Sequence, residues 1–554
     1  MKELIERLYP DQLDSVLEGI SRLLDKYGFR AAEDGRYRGL THKDAILITY
    51  GDAIQQEGEN PLYTLKRFSS RYLKGRINTV HLLPCFPYTS DDGFSVTDYY
   101  QIDPGLGNWK DIEALKRHFD LMFDAVVNHI SQGSDWFQGF LKGEEAYRDY
   151  FIEADPDEDH SQVVRPRALP LLHEFDKQGE AVHIWTTFSR DQVDLNYANY
   201  KVFLHVLDVL LFYVSQGARF IRLDAIAFLW KKAGTSCIHL EETHLVIQAY
   251  REVLDSIEGE TFLITETNVP HKENISYFGN GTNEAHMVYN FTLPPLLALA
   301  IHKQDPADLI NWAGSLDLPG DKVCFFNFTA SHDGVGVRPL QGIVPQEEIN
   351  FLAEKAIAHG GFVSYKDNGD GTRSPYELNC NYMDLLTHAT EPLDLRVRRF
   401  LLSQSVMLCM PGVPGVYYHS LLGSENDRDA ALDSRINRRI NRAKLQFDEL
   451  EQELQGNDTV RVKVFEQYSK MLEKRTEEPL FHPAAGANYS QSGNVLCIER
   501  TDGDNVLYGL HNFSDQAVAL QNKAAAVRDL LNEVDISEND WNLEPFGFLW
   551  LKKL

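Results

Sequence analysis

The chain has 554 residues, too many for one simple core, so two or more domains are expected. Its 43% hydrophobic and 25% charged content are those of an ordinary soluble protein. A formal net charge of −28 repels nucleic acid and anionic membranes and argues against both as partners.

The first residues, MKELIERLYPDQL, are amphipathic and acidic and contain no apolar signal core. No stretch approaches 18 apolar residues, so no membrane span is expected. The cysteines, Cys85, Cys237, Cys324, Cys380, Cys409 and Cys497, are scattered singly, without zinc or CxxC spacing. That usage points to a reducing cytoplasm, and no metal site or Ca-loop pattern is visible. No motif sets an oligomeric state.

Eight short apolar runs follow in chain order: AILITY (45–50), TVHLLP (79–84), LMFDAVV (121–127), FIRLDAIAF (220–228), TFLITE (261–266), HMVYNF (286–291), VCFFNF (323–328) and PGVPGVYY (411–418). Helix-length segments separate most of them, such as LHVLDVLLFYVSQG (204–217) and HLVIQAYREVLDSI (244–257). Alternating strand and helix predicts an α/β fold with a parallel sheet, and eight units fit a (β/α)8 TIM barrel with its site at the C-terminal strand ends. A doubly wound sheet is the alternative, but no Gly-rich phosphate loop follows the first strand. Two spacings are too long for single units and predict inserted subdomains near the site. After about residue 480 the chain changes to short alternating runs, a small all-β domain. The expected division is a barrel over 1–129, 211–334 and 395–480, an inserted subdomain over 130–210, an inserted lid subdomain over 335–394, and a β domain over 481–554.

Asp224 ends FIRLD, with Arg222 two residues earlier on the same strand face. An Arg beside a carboxylate favours its ionised form, which a sugar nucleophile requires; a structural ion pair would read the same way. Glu266 ends TFLITE, and Asp333 follows FFNFTASH. His129 ends LMFDAVVNH, and His332 precedes Asp333. In a barrel all five face one bowl. Three acids in one bowl cost stability by repulsion, which chemistry explains better than structure. The set suits retaining glycoside chemistry: one carboxylate attacks the anomeric carbon, a second donates a proton to the leaving oxygen, and a third holds sugar hydroxyls.

SDDGFSVTDYY (90–100), DAVVNH (124–129), RLDAIAF (222–228), TETN (265–268) and ASHDG (330–334) resemble, in order and spacing, the signature regions of the α-amylase superfamily, glycoside hydrolase family 13. The resemblance implies Asp224 as nucleophile, Glu266 as general acid/base and Asp333 as transition-state stabiliser. It implies glucosyl contacts from Asp91, His129, Arg222 and His332, with Phe94 as a stacking platform. Phe94 could equally be core, and His129 could serve a backbone carbonyl. AGTSC (233–237), RPRALP (165–170), ALDSRINRR (431–439) and YELN (376–379) resemble the sucrose phosphorylase subfamily, which cleaves α-glucosides with phosphate. That implies Arg438 as a second glucosyl contact, and Arg167 and Tyr376 as groups meeting phosphate or leaving group. It also implies inorganic phosphate as co-substrate, no cofactor, and a small sugar as the other partner.

Departures bear on the leaving group. Sucrose phosphorylases usually read RLDAVGY, so Phe228 lacks a hydroxyl; they tend to carry Gln where this chain has Glu377. WKKAGTSCIHLEETH (230–244), WTTFSRDQVDLNYAN (185–199) and DGTRSPYELN (370–379) look most like the glucosylglycerate phosphorylases of that subfamily. Glycerate is an anion, so Arg373 and Lys232 become candidate cations for its pocket. Sucrose, sucrose 6′-phosphate and glucosylglycerol are the rival leaving-group donors; a hydrolase, a transglycosylase or a non-catalytic sugar-binding protein is a further alternative.

Overall fold

The structure, a computed structural model, describes every residue except 33–38, 168, 368–370, 457, 522–525 and 537–540. The loop motifs at 165–170 and 366–379 therefore lie partly outside the described residues.

All eight apolar runs become strands of one closed sheet. They are β1 (Ile46–Thr49), β2 (Thr79–Leu82), β3 (Asp120–Ala125), β4 (Ala218–Leu223), β5 (Phe262–Thr265), β6 (Met287–Tyr289), β7 (Cys324–Phe328) and β8 (Val413–Tyr417). The order round the ring is β1-β8-β7-β6-β5-β4-β3-β2. Neighbours run parallel, as in Phe262↔Phe220 and Asp124↔Arg222. Most strands are buried on both faces, which explains continuous apolar runs rather than alternation. The protein is thus an eight-stranded parallel barrel with an all-β C-terminal region.

The strands are shorter than the runs. FIRLDAIAF leaves the sheet after Leu223, because Ala225 takes φ +49° and opens the 3-10 turn Ile226–Phe228. The helix expected over 204–217 spans Tyr200–Gln216; the Asn199 side chain caps it by accepting from Lys201 N–H, and Gly217, at φ +99°, ends it. The expected insert end at 210 falls inside this helix.

Two compact units divide the chain. The first comprises residues 1–39, 81–267 and 273–288. It carries β3, β4 and β5, and an insert with the hairpin Leu172–Lys177/Glu180–Trp185 and the pair His129–Ser131/Gln192–Asp194.

The second unit comprises residues 40–80, 268–272 and 289–554. It carries β1, β7 and β8, and a three-stranded antiparallel sheet ordered Val335–Gly336, Arg373–Asn379, Phe362–Asp367. Its C-terminal region is a six-stranded sheet beginning with Gly486–Ser492, packed around Val495, Leu510, Val527, Trp541, Leu543 and Leu551. Among the described residues no helix is long and apolar enough to cross a membrane.

Candidate active site

The barrel register puts Asp124 on β3 directly beside Arg222 on β4. Arg222 is 1% exposed, so its charge must be paired inside the protein. Its Nη1 is ion-paired with Asp124 and lies 2.8 Å from Asp224 Oδ1; its Nη2 lies 3.9 Å from Glu266 Oε2. Beneath them, His81 Nε2 donates to Asp124 Oδ2 at 2.7 Å. Burial pushes the His81 pKa down against the pull of Asp124, which suits a neutral donor.

Asp224 and Glu266 each follow a strand by one residue. The ladder continues under them, Asp224 N–H donating to Ala125 and Glu266 N–H to Leu223. The left-handed turn at Ala225 aims its N–H at Glu266 Oε2, 3.0 Å away. A non-glycine residue in that conformation stores strain, a feature that gathers at functional sites.

A second cluster stands on the loop after β2. Asp91 and Asp92 both have positive φ. Asp91 Oδ2 accepts from Arg167 Nη2 at 3.0 Å and from Gln192 Nε2 at 3.1 Å. Phe94 is 7% exposed, and the Arg222 guanidinium lies 5.6 Å from its ring centroid. His129 Nε2 donates to the Phe94 carbonyl at 2.9 Å, so the backbone contact named as its alternative role is present. Burial lowers the His129 pKa. Asp191 fastens the loop: its Oδ2 accepts from Thr89 at 2.6 Å, from Ser95 at 2.7 Å, and from Ser90. Phe188 touches both His129 and Phe228, with centroids 5.2 and 5.5 Å apart, and Arg167 lies over its ring.

In the second unit, Asp333 lies five residues beyond β7, on a loop rather than at the strand end. Its Oδ1 is 2.5 Å from Arg438 Nη1, 3.5 Å from His332 Nε2 and 3.8 Å from Arg442 Nη2. Arg438 also forks onto Glu377, Nε to Oε1 at 3.0 Å and Nη2 to Oε2 at 2.6 Å. Asn441 Nδ2 donates to the carbonyls of Ser331 and Asp333, and Arg442 Nε to that of His332.

Asp224, Glu266, Arg222, Asp91, Phe94, His129 and Arg167 therefore form a connected group in the first unit, and Asp333, His332 and Arg438 another in the second. Tyr376 precedes Glu377 on its strand, half-buried; Arg373 opens that strand, exposed. Lys232 stands apart: its side chain is 60% exposed and paired with Glu242. The buried cation here is its neighbour Lys231, 2.7 Å from Asp194 Oδ2 and 2.9 Å from Asn128 Oδ1. Among the described residues no cluster of three His, Cys, Asp or Glu is placed to hold a metal ion. Sequence reasoning missed Asp124, Gln192 and Lys231. Asp124 had a signal, an acid inside the apolar run LMFDAVV. The 436–442 segment had another: Ile-Asn-Arg occurs twice, and only the first copy drew notice.

The barrel, with acids following β4 and β5, defines the class: an α-amylase-type fold carrying carboxylate chemistry. The α-amylase catalytic-domain family matches residues 71–315. The chain is 48% identical to a glucosylglycerate phosphorylase of Spirochaeta thermophila over 87% of this chain and 83% of that one. It is 44% identical to the glucosylglycerate phosphorylase of Escherichia coli over 92% of each. The crystal structure of sucrose 6F-phosphate phosphorylase from Thermoanaerobacter thermosaccharolyticum superposes with a TM-score of 0.77, covering 92% of this chain and 100% of that one; at 24% identity this is a likeness of fold. The chain belongs to glycoside hydrolase family 13, the α-amylase superfamily, in its branch of glycoside phosphorylases.

Proposed function

We propose that the protein reversibly converts 2-O-α-D-glucosyl-D-glycerate and phosphate to α-D-glucose 1-phosphate and D-glycerate. The observation that carries the reaction class is one buried guanidinium, Arg222, serving both Asp224 and Glu266. It holds the Asp224 carboxylate charged and oriented for attack. Asp224 displaces glycerate to give a β-glucosyl ester, while Glu266 protonates the leaving oxygen. Phosphate then attacks the ester from the α face, so configuration is retained. Phosphate is already anionic and needs less help from a general base than water does. Asp333 acts as the third carboxylate, gripping sugar hydroxyls as the ring flattens. Asp91, Phe94, His129, His332 and Arg438 complete the glucosyl contacts.

Two relatives of 44% and 48% identity, both named glucosylglycerate phosphorylases, support glycerate as leaving group. Arg167, Arg373 and Tyr376 are the groups we propose for phosphate and glycerate; Lys232 leaves that set, because Glu242 holds it at the surface. The reaction needs no cofactor beyond phosphate. Six free thiols, five of them buried, fit a cytoplasmic setting.

A panel tests the leaving group. The protein is incubated with phosphate and, separately, glucosylglycerate, sucrose, sucrose 6′-phosphate and glucosylglycerol, and glucose 1-phosphate is followed. Release fastest from glucosylglycerate is expected. Release from sucrose alone would remove glycerate from the account.

A further inference from the structure

We propose that Glu377 is a positioning residue: it sets the Arg438 guanidinium against Asp333 and so makes the lid strand Arg373–Asn379 part of the transition-state machinery. The inference rests on the retaining α-glucosyl-transfer reading above.

Glu377 is 2% exposed, and a buried carboxylate survives only when fully paired. Three donors meet it: Arg438 Nε at 3.0 Å, Arg438 Nη2 at 2.6 Å and Asn379 Nδ2 at 2.5 Å. A bidentate fork fixes the plane of a guanidinium as well as its position. With Nε and Nη2 committed to Glu377, the guanidinium plane and the place of Nη1 are set, and Nη1 lies 2.5 Å from Asp333 Oδ1. That oxygen is buried, and it also faces Arg442 Nη2 at 3.8 Å and His332 Nε2 at 3.5 Å. The Asp333 carboxylate is thus held in one place and one orientation by charge, as a group that meets a changing sugar ring requires.

The backbone is shaped for this contact. Glu377 pairs with Gly336 across the lid sheet. A Cβ at Gly334, the residue after Asp333, would sit 2.6 Å from Glu377 Cγ and from the Leu378 carbonyl. Asn441 and Arg442 hold the 331–333 backbone, whereas Glu377 reaches the Asp333 carboxylate through Arg438. It acts on the chemistry through another residue.

The test uses α-D-glucosyl fluoride with phosphate, whose fluoride leaves without regard to the natural leaving group. E377Q keeps shape and one acceptor but loses the charged fork. It should lower kcat and kcat/KM together by roughly 10- to 100-fold, the signature of an interaction made in the transition state. Its melting temperature should stay within a few degrees of wild type. R438K, at a partly exposed position, is the second arm, since an ammonium cannot span both carboxylates. In the double variant the two losses should not multiply, because the residues act as one unit. Wild-type kcat/KM in E377Q, a change in KM alone, or multiplying losses would overturn the proposal. Turnover of the fluoride without turnover of glucosylglycerate would remove the glycerate reading and leave Glu377 in place. A wild-type protein inert to the fluoride would end both.

Discussion

Arg222 touches three carboxylates, and each contact has a different consequence. Asp124 pairs with it in full burial and anchors it. Asp224, at 2.8 Å, receives its charge. Glu266, at 3.9 Å, stands at the edge of its reach and takes an aligned bond from the Ala225 N–H instead. Two acids near one cation are thereby given unequal surroundings, the usual way for one to attack while the other carries a proton. Asp224→Asn should lower kcat by three or more orders of magnitude with little change in melting temperature, measured by initial rates and calorimetry. Arg222→Lys should do both kinds of damage. A Lys cannot serve Asp124 and Asp224 together, and breaking a buried pair costs about 3–5 kcal/mol. Chemical denaturation would read that loss; unchanged stability would show that Asp124 finds another partner.

At the level of elements, the machinery is held by short irregular segments between regular ones. The Ala225 turn aims an N–H at Glu266, Asp191 gathers hydroxyls of the 89–95 loop, and the 436–442 segment grips the loop after β7. Gly334 lets the lid strand approach that loop. Gly334→Ala should cost about 1–3 kcal/mol of stability by overpacking and also slow turnover, because the added methyl pushes on Glu377. Denaturant melts and rates on the same preparation check both effects. The strands and strand-end acids were legible in the sequence because burial writes apolar runs, and an acid or Arg inside one is conspicuous. Asp224, Glu266 and Arg222 stood out on that ground. Lys231 and Lys232 are adjacent, and only packing chose which of them is buried. Gln192 and Glu377 sit on short strands of the two inserts without a readable period, where register decides what a side chain meets. Glu377 appeared only as an acid in place of Gln; its fork onto Arg438 depends on a lid strand no local pattern could place.

Across the whole molecule, burial leaves several histidines neutral. It pushes His205 and His302 down to about 4, and His419 and His511 down to about 3. A histidine whose folded pKa lies below its unfolded value of about 6.5 stabilises the fold above that value and loses the contribution as pH falls toward the folded pKa. Asp384 works the other way, since burial raises it to about 7; its folded form is favoured as pH falls from 7 toward its unfolded value. At pH 5 these five groups together should take up about two to three protons on unfolding. The melting temperature should therefore fall between pH 7 and pH 5, by calorimetry across that range; a flat profile would contradict the burial of these rings. Purified protein, 2-O-α-D-glucosyl-D-glycerate and inorganic phosphate, followed by proton and phosphorus NMR, should yield α-glucose 1-phosphate and glycerate in equal amounts, at a rate that depends on phosphate. Free glucose formed independently of phosphate, or the β anomer of glucose 1-phosphate, would contradict it.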